Sequence, residues 1–262
     1  MNALHEAFHY VKHLWTAKKR HGIHSPLVYA LSDVVFHFKK TNPSFKSLIT
    51  LKEEWLGNHN VLEIVDYGAG TRISKGSSRR SISEIARVST SDQKQAQAMY
   101  HLVQFLKPKA ILELGTNLGW TSFHMALAAP ECSVVSIEGS KTLHDFAESN
   151  RKRFKLDNLT LICSEFSQLL NTPKWTNLAF DLVYLDGNHR KEPTLNYCKL
   201  LEPYLTETAV IVVDDIYWSK EMTEAWEILR SSEKYSLTVD CFHFGLLFLE
   251  KRNQKEHFRL RI

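Results

Sequence analysis

The chain has 262 residues, 44% of them hydrophobic and 24% charged, which suits one sizeable core with an appendage and excludes a disordered or fibrous protein. No apolar run approaches the roughly 18 residues of a membrane span, and "MNALHEAFHYVKHLW" is broken by His, Glu and Lys too often for a secretion signal, so a cytoplasmic protein with no transmembrane segment is expected. The net charge of +4 conceals an asymmetry: residues 1–90 carry 13 Lys and Arg against 7 Asp and Glu, together with seven of the thirteen histidines, whereas residues 91–262 carry 20 against 22. A boundary is therefore placed near Ser89–Asp92.

From the start of the chain, "ALHEAFHYVKHLW" sets Leu4, Phe8, Val11, Leu14 and Trp15 on one helical stripe. Gly22 and Pro26 break the pattern, and "LVYALSDVVFHF" reads as a second helix, so residues 1–90 are expected to form a helical cap. The basic residues Lys12, Lys18, Lys19 and Arg20 are read as a solvated face. Four cysteines without CxxC spacing are expected to be free thiols.

From Ser91 onward, strand and helix patterns alternate. "QKQAQAMYHLVQFL" follows "STSD", which offers N-cap candidates. "AILELG", "SVVSIEG", "LTLIC", "FDLVYLD" and "AVIVVDD" are short runs rich in Val, Ile and Leu, apolar on both faces as buried parallel strands are. Helical patterns separate them, among them "WTSFHMALAA" and "SKTLHDFAESNRKRF". The chain finishes with "SLTVDCF" and "FGLLFLEK", too close together for anything but an antiparallel pair. The expected fold is α/β: a doubly wound, mostly parallel sheet of seven strands over 91–262, with the helical cap of 1–90.

Two segments compete as a cofactor loop. "VLEIVDYGAG" (61–70) and "AILELGTNLG" (110–119) both run from apolar residues through an acid into glycines. Such a loop needs a helix directly after its glycines, to aim free N–H groups at the ligand, and a second acid at the end of the next strand. The second segment has both, in "WTSFHMALAA" and Glu138. The first runs instead into the polar, basic "TRISKGSSRRS".

The strands that flank the crossover point end in Glu113, in Asp186 with His189, and in Asp214 and Asp215. Converging carboxylates repel one another unless a cation neutralises them, and a hard ion such as Mg²⁺ suits oxygen ligands. Asp186, Asp214 and Asp215 are the candidate metal ligands. Asp215 as a turn cap, Asp186 as a holder of the cofactor amine and His189 as a helix N-cap are the competing structural roles.

"LELGTNLGWTS", "VVSIEGS", "FDLVYLDGNH" and "VIVVDDIYW", in that order, resemble the class I S-adenosylmethionine-dependent methyltransferases, specifically the O-methyltransferase branch. The resemblance implies that the loop of Glu113, Gly115, Thr116, Asn117 and Gly119 approaches the methionine part of S-adenosylmethionine. It implies that Glu138 takes the ribose hydroxyls and that Ser164 and Glu165 flank the adenine, although Gly–Asp is commoner there. Catechol-type and macrolide-sugar members use carboxylates at these strand ends for a metal. The macrolide-sugar type also has a base His three residues after the fourth-strand acid, matching Asp186 and His189.

The expected reaction is methyl transfer to a hydroxyl of a small or lipid-like molecule, with His189 and Asp186 as catalytic residues. Tyr217 and Trp218 are candidates for an aromatic wall around the acceptor. Arg79 and Arg80, with Arg72 and Lys75, are candidates for an acidic group on it. A homodimer is the assembly considered. The rival readings are a nucleic-acid methyltransferase, disfavoured because the fourth strand ends in "YLDGNH", and a non-catalytic cofactor-binding protein.

Overall fold

The computed structural model describes residues 2–18, 22–37, 45–65, 77–88, 90–173 and 176–261. Segment 66–76, with Arg72 and Lys75 of the expected substrate element, lies outside them, as do Lys19, Arg20 and Ser89. Helix α1 (Asn2–Thr16) is followed by α2 (Pro26–Leu31), which runs on as a short π-helix (Ser32–Phe36), and by α3 (Phe45–Leu56). Pro26 stands at the first position of α2, where its missing N–H costs nothing. Strands β1 (Val61–Val65) and β2 (Ser77–Ser81) form an antiparallel ribbon, followed by α4 (Ile82–Val88). The rival glycine segment therefore begins in one strand of this ribbon, and its glycines lie outside the described residues.

The remainder is one wound sheet. Helix α5 (Gln93–Leu106) opens on Asp92, whose carboxylate accepts the Gln95 N–H at 2.7 Å, a cap of about 1 kcal/mol. Five strand–helix units follow: β3 (Ala110–Leu114) and α6 (Trp120–Ala128), β4 (Ser133–Glu138) and α7 (Lys141–Arg153), β5 (Leu159–Cys163) and α8 (Phe166–Leu170), β6 (Phe180–Leu185) and α9 (Lys191–Leu200), β7 (Leu205–Asp214) and α10 (Lys220–Ser231). Strands β8 (Leu237–Asp240), β9 (Phe244–Phe248) and β10 (Glu256–Arg259) complete an eight-stranded sheet of order β10-β8-β9-β7-β6-β3-β4-β5. Strands β3 to β7 are parallel, β9 is antiparallel to both β7 and β8, and β10 runs parallel to β8. The eighth strand corrects the expected count of seven. "EHFR" buries only Phe258 on its own, and its charged residues mask the period of two.

Alternate residues of each strand serve opposite faces. Ile111, Leu182 and Val212 pack under α5, α6 and the N-terminal helices, and Leu112, Val183 and Val213 under α8 to α10. Val28, Leu31, Leu48 and Trp55 enter the first of these cores, so the N-terminal helices share it with the sheet.

α1 sits differently. Its expected apolar stripe faces out: Leu4, Phe8, Val11 and Trp15 are exposed, and Leu14 is only half-buried. The reason is a polar seat. Asp240, fully buried in β8, accepts from Tyr217 Oη (2.6 Å), Arg259 Nε (2.8 Å) and the Phe242 N–H (3.0 Å), and His13 Nδ1 stands 3.2 Å away. These donors hold the Asp240 carboxyl below its usual range in spite of burial. The same His13 reaches the Leu260 carbonyl through Nε2 at 2.8 Å, so histidines rather than leucines are the inward residues of α1.

Candidate active site

Between β3 and β6 the winding changes direction, and a crevice opens beyond the carboxyl ends of the strands. The loops that line it turn through left-handed backbone at Gly115 (φ 112°), Asn117 (φ 52°), Gly119 (φ 92°), Asn188 (φ 53°) and Asp215 (φ 54°). Asn and Asp tolerate this region better than other side chains do. Gly115 has a second constraint: a Cβ there would lie 2.1 Å from the Asp186 carbonyl oxygen. The β3 and β6 loops pack backbone to backbone, tied by the Asp186 N–H to the Leu114 carbonyl at 2.9 Å.

On the β4 side, Glu138 joins two loops. One carboxylate oxygen accepts the Asn117 N–H (2.8 Å) and the other the Ser140 N–H (2.9 Å). Ser164 lies alongside, its N–H donating to the Glu138 carbonyl at 3.0 Å, and Glu165 occupies the N-cap position of α8. Thr116 is buried and its hydroxyl meets Ser136 Oγ at 2.5 Å. Glu113 is fully buried, and Ser122 and Ser136 hydroxyls donate to its Oε2 while Oε1 has no partner. Burial raises its pKa to about 7, the serine bonds opposing the shift. Oε1 and the equally partnerless, buried Ser140 Oγ are polar atoms at the loops where the methionine and ribose parts of a cofactor would lie.

The β6–β7 side gathers the other acids. His189 Nε2 lies 3.6 Å from Asp186 Oδ1 and 3.9 Å from Asp215 Oδ2, with the imidazole about a quarter exposed. Asp214 is buried, and its two oxygens accept from Gln95 Nε2 (2.5 Å) and Tyr184 Oη (2.9 Å). Burial, followed by the charge of its neighbours, lifts the Asp186 carboxyl well above the carboxylate range, and Asp214 rises for the same reasons. Arg190, not His189, occupies the N-cap position of α9, which removes that structural role for His189.

Trp218 stands beside His189, ring centres 6.5 Å apart. Tyr217 does not: it is buried, stacked on His9 and Phe242, with its hydroxyl on Asp240. In the β1–β2 ribbon, Arg79 is opposite Glu63 and Arg80 opposite Leu62, and β1 packs against α7. No described bond brings Arg79 to His189 or to the strand-end acids.

Sequence reasoning missed Gln95 and Tyr184, which fix Asp214, and it missed the Asp240 cluster. The last had a signal: an acid in the otherwise apolar "LTVDCF".

The fold defines a Rossmann-like α/β protein whose crevice opens at the carboxyl edge of a wound sheet. Residues 112–216, from inside β3 to just past β7, match the family described as "Methyltransferase domain". That span of the chain is thus similar to a methyltransferase domain. Solved structures share the fold at low identity. The O-methyltransferase TomG from Streptomyces achromogenes, in complex with SAM, is 18% identical with a TM-score of 0.53, over 63% of this chain and 83% of its own. An O-methyltransferase from Bacillus cereus in complex with SAH is 16% identical, TM-score 0.55, over 86% and 98%. A methyltransferase from Geobacter sulfurreducens is 12% identical, TM-score 0.54, over 87% and 98%.

Proposed function

We propose that the protein transfers the methyl group of S-adenosylmethionine to a hydroxyl of a small or lipid-like acceptor, with His189 as general base. The observation that carries this reading is the place of His189, part-exposed between Asp186 and Asp215 beyond the ends of β6 and β7. Glu113, Gly115, Thr116, Asn117, Gly119, Glu138, Ser164 and Glu165 would hold the cofactor. Its chemistry is an electrophilic methyl on a sulfonium.

His189 takes the acceptor's hydroxyl proton as the oxygen attacks that methyl. The backbone of the β3 and β6 loops, locked by Gly115, sets the alignment on which such displacements depend. Trp218 would line the acceptor, and Arg79 and Arg80 would meet an acidic group on it only if the ribbon closes over the crevice.

Magnesium assistance is a second reading, favoured by the crowding of Asp186, Asp214 and Asp215. The residues as they stand do not fit it. Both Asp214 oxygens are engaged, and among the described residues no three His, Cys, Asp or Glu side chains are arranged to hold an ion. No step is therefore assigned to a metal. Turnover that persists in a chelator would agree; turnover lost in chelator and restored by Mg²⁺ would overturn the metal-free mechanism.

The test of function uses methyl-labelled S-adenosylmethionine with host extract, the label being partitioned among solvent-extractable molecules, RNA and protein. Label in the solvent fraction is expected, and label in RNA would sink the proposal. With the acceptor in hand, His189→Ala should lower kcat by 10²–10⁴-fold, the range for a lost general base, while S-adenosylhomocysteine still binds.

A further inference from the structure

Helices on a protein surface ordinarily bury their apolar face. α1 does the reverse. Inward, His5 Nε2 meets Thr223 Oγ1 at 2.9 Å, His9 stacks on Tyr217 at 4.9 Å between ring centres, and His13 is buried between Asp240 and the Leu260 carbonyl. Outward, Leu4, Phe8, Val11 and Trp15 are 81%, 65%, 52% and 87% exposed. Turning the helix to hide them would break every one of those inner contacts.

Beside this stripe lies a cleft of about 380 Å³ lined by Lys12, Lys18, Arg230, His257 and Arg259, with Glu227 as its acid. Glu227 pairs with Arg230, and Asp240 with Arg259. His257 is neutral near pH 7, because burial lowers its pKa to about 4. Two cations are left over: neither Lys12 nor Lys18 has a carboxylate within ion-pair distance among the described residues. Lys12 lies on α1 one turn from both Phe8 and Trp15, so charge and apolar stripe share one side of the helix.

We propose that α1 docks the protein on an anionic lipid bilayer. Leu4, Phe8, Val11 and Trp15 enter the boundary between headgroups and acyl chains, and a lipid phosphate is held at Lys12 and Lys18. A helix with aromatic and aliphatic residues on one side and lysines at its rim is suited to that interface. None of the described helices is long and apolar enough to cross the membrane, so contact is with the surface. A second copy of the chain fits less well. Two stripes face to face would bring both sets of lysines to one seam, and four side chains offer less than the roughly 800 Å² per partner of a stable interface.

The experiment is co-sedimentation of the full chain with phosphatidylcholine vesicles, with and without phosphatidylglycerol. It reads binding without turnover, so its failure and a failure of the methyltransferase reading are separate results. Binding is expected with phosphatidylglycerol, weakened by salt, and little without it. Lys12→Gln and Lys18→Gln should each lower the partition coefficient about fivefold, the equivalent of about 1 kcal/mol per charge at an anionic surface. Phe8→Ser with Trp15→Ser should lower it at least about tenfold. Both side chains are exposed, so an unchanged melting temperature is expected; should it fall, the lysine variants carry the test. The proposal is overturned if the chain ignores anionic vesicles at low salt, if binding survives both sets of substitutions, or if light scattering finds a dimer that Phe8→Ser with Trp15→Ser dissociates.

Discussion

The two halves of the sheet's carboxyl edge are built on opposite terms. On the β4 side the half-buried acid is satisfied: Glu138 accepts one N–H on each oxygen and holds two loops in register. On the β6–β7 side the acids crowd one another, Asp186 and Asp214 with raised pKa values, and His189 stands at 3.6 and 3.9 Å without a hydrogen bond to either neighbouring carboxyl. A large ligand of fixed shape is best met by groups already in place. On the function proposed above, one half would hold the cofactor and the other would do the chemistry.

The hardest blow to that comparison is Gly115→Ala, because this glycine serves both halves. Its Cβ would meet the Asp186 carbonyl at 2.1 Å, and a φ of 112° is itself hostile to alanine. Strained backbone of this kind costs about 1–3 kcal/mol before any clash is counted. S-adenosylhomocysteine binding by calorimetry should fall below detection and the melting temperature should drop; wild-type binding would mean that the two loops move independently.

Next in size is Asp240→Ala, which should remove about 3–5 kcal/mol by leaving Arg259 without its buried counter-charge and His13 without its neighbour. The Asp240 pKa is lowered from 3.8 in the fold, so its contribution is present above about pH 4 and fades as pH falls further. Denaturant titrations should therefore show the gap between wild type and variant narrowing below pH 4. A gap that widens there would refute the ionised carboxylate.

The smallest effect, and the one that sharpens the comparison most, is Glu138→Gln. It keeps the shape but puts an NH2 donor where one acceptor oxygen stood, so one of the two backbone N–H bonds is lost and the other becomes neutral, about 1–2 kcal/mol. S-adenosylhomocysteine should bind roughly tenfold more weakly, with kcat at saturating cofactor unchanged. A fall in kcat instead would blur the two halves.

The parallel strands were legible because they are five short apolar runs, four of them ending at a glycine or an acid, and a strand covered on both faces leaves an apolar run. β2 was not, since "SSRRS" has no strand propensity and is held only by its pairing with β1. Among site residues, the letters located Glu138, Asp186, His189 and Asp215 at the crevice, because strand ends fix where a following side chain emerges. They could not say which way a side chain turns. Glu113 points into the core between two serines, and Tyr217 turns to Asp240. Each depends in part on a partner 23 residues away in the chain, beyond the reach of any local pattern.

The seat of α1 also has a consequence in time. His13 rests on Asp240 and on the Leu260 carbonyl, 247 positions downstream, and the Lys18 N–H donates to the Arg259 carbonyl at 2.8 Å. On the ribosome, α1 must therefore wait for the last strand of the sheet before it can come to rest. Until then its histidines and its aromatic residues are equally bare, so a nascent chain should be most vulnerable to chaperone capture, and to straying, at this segment and not at the sheet.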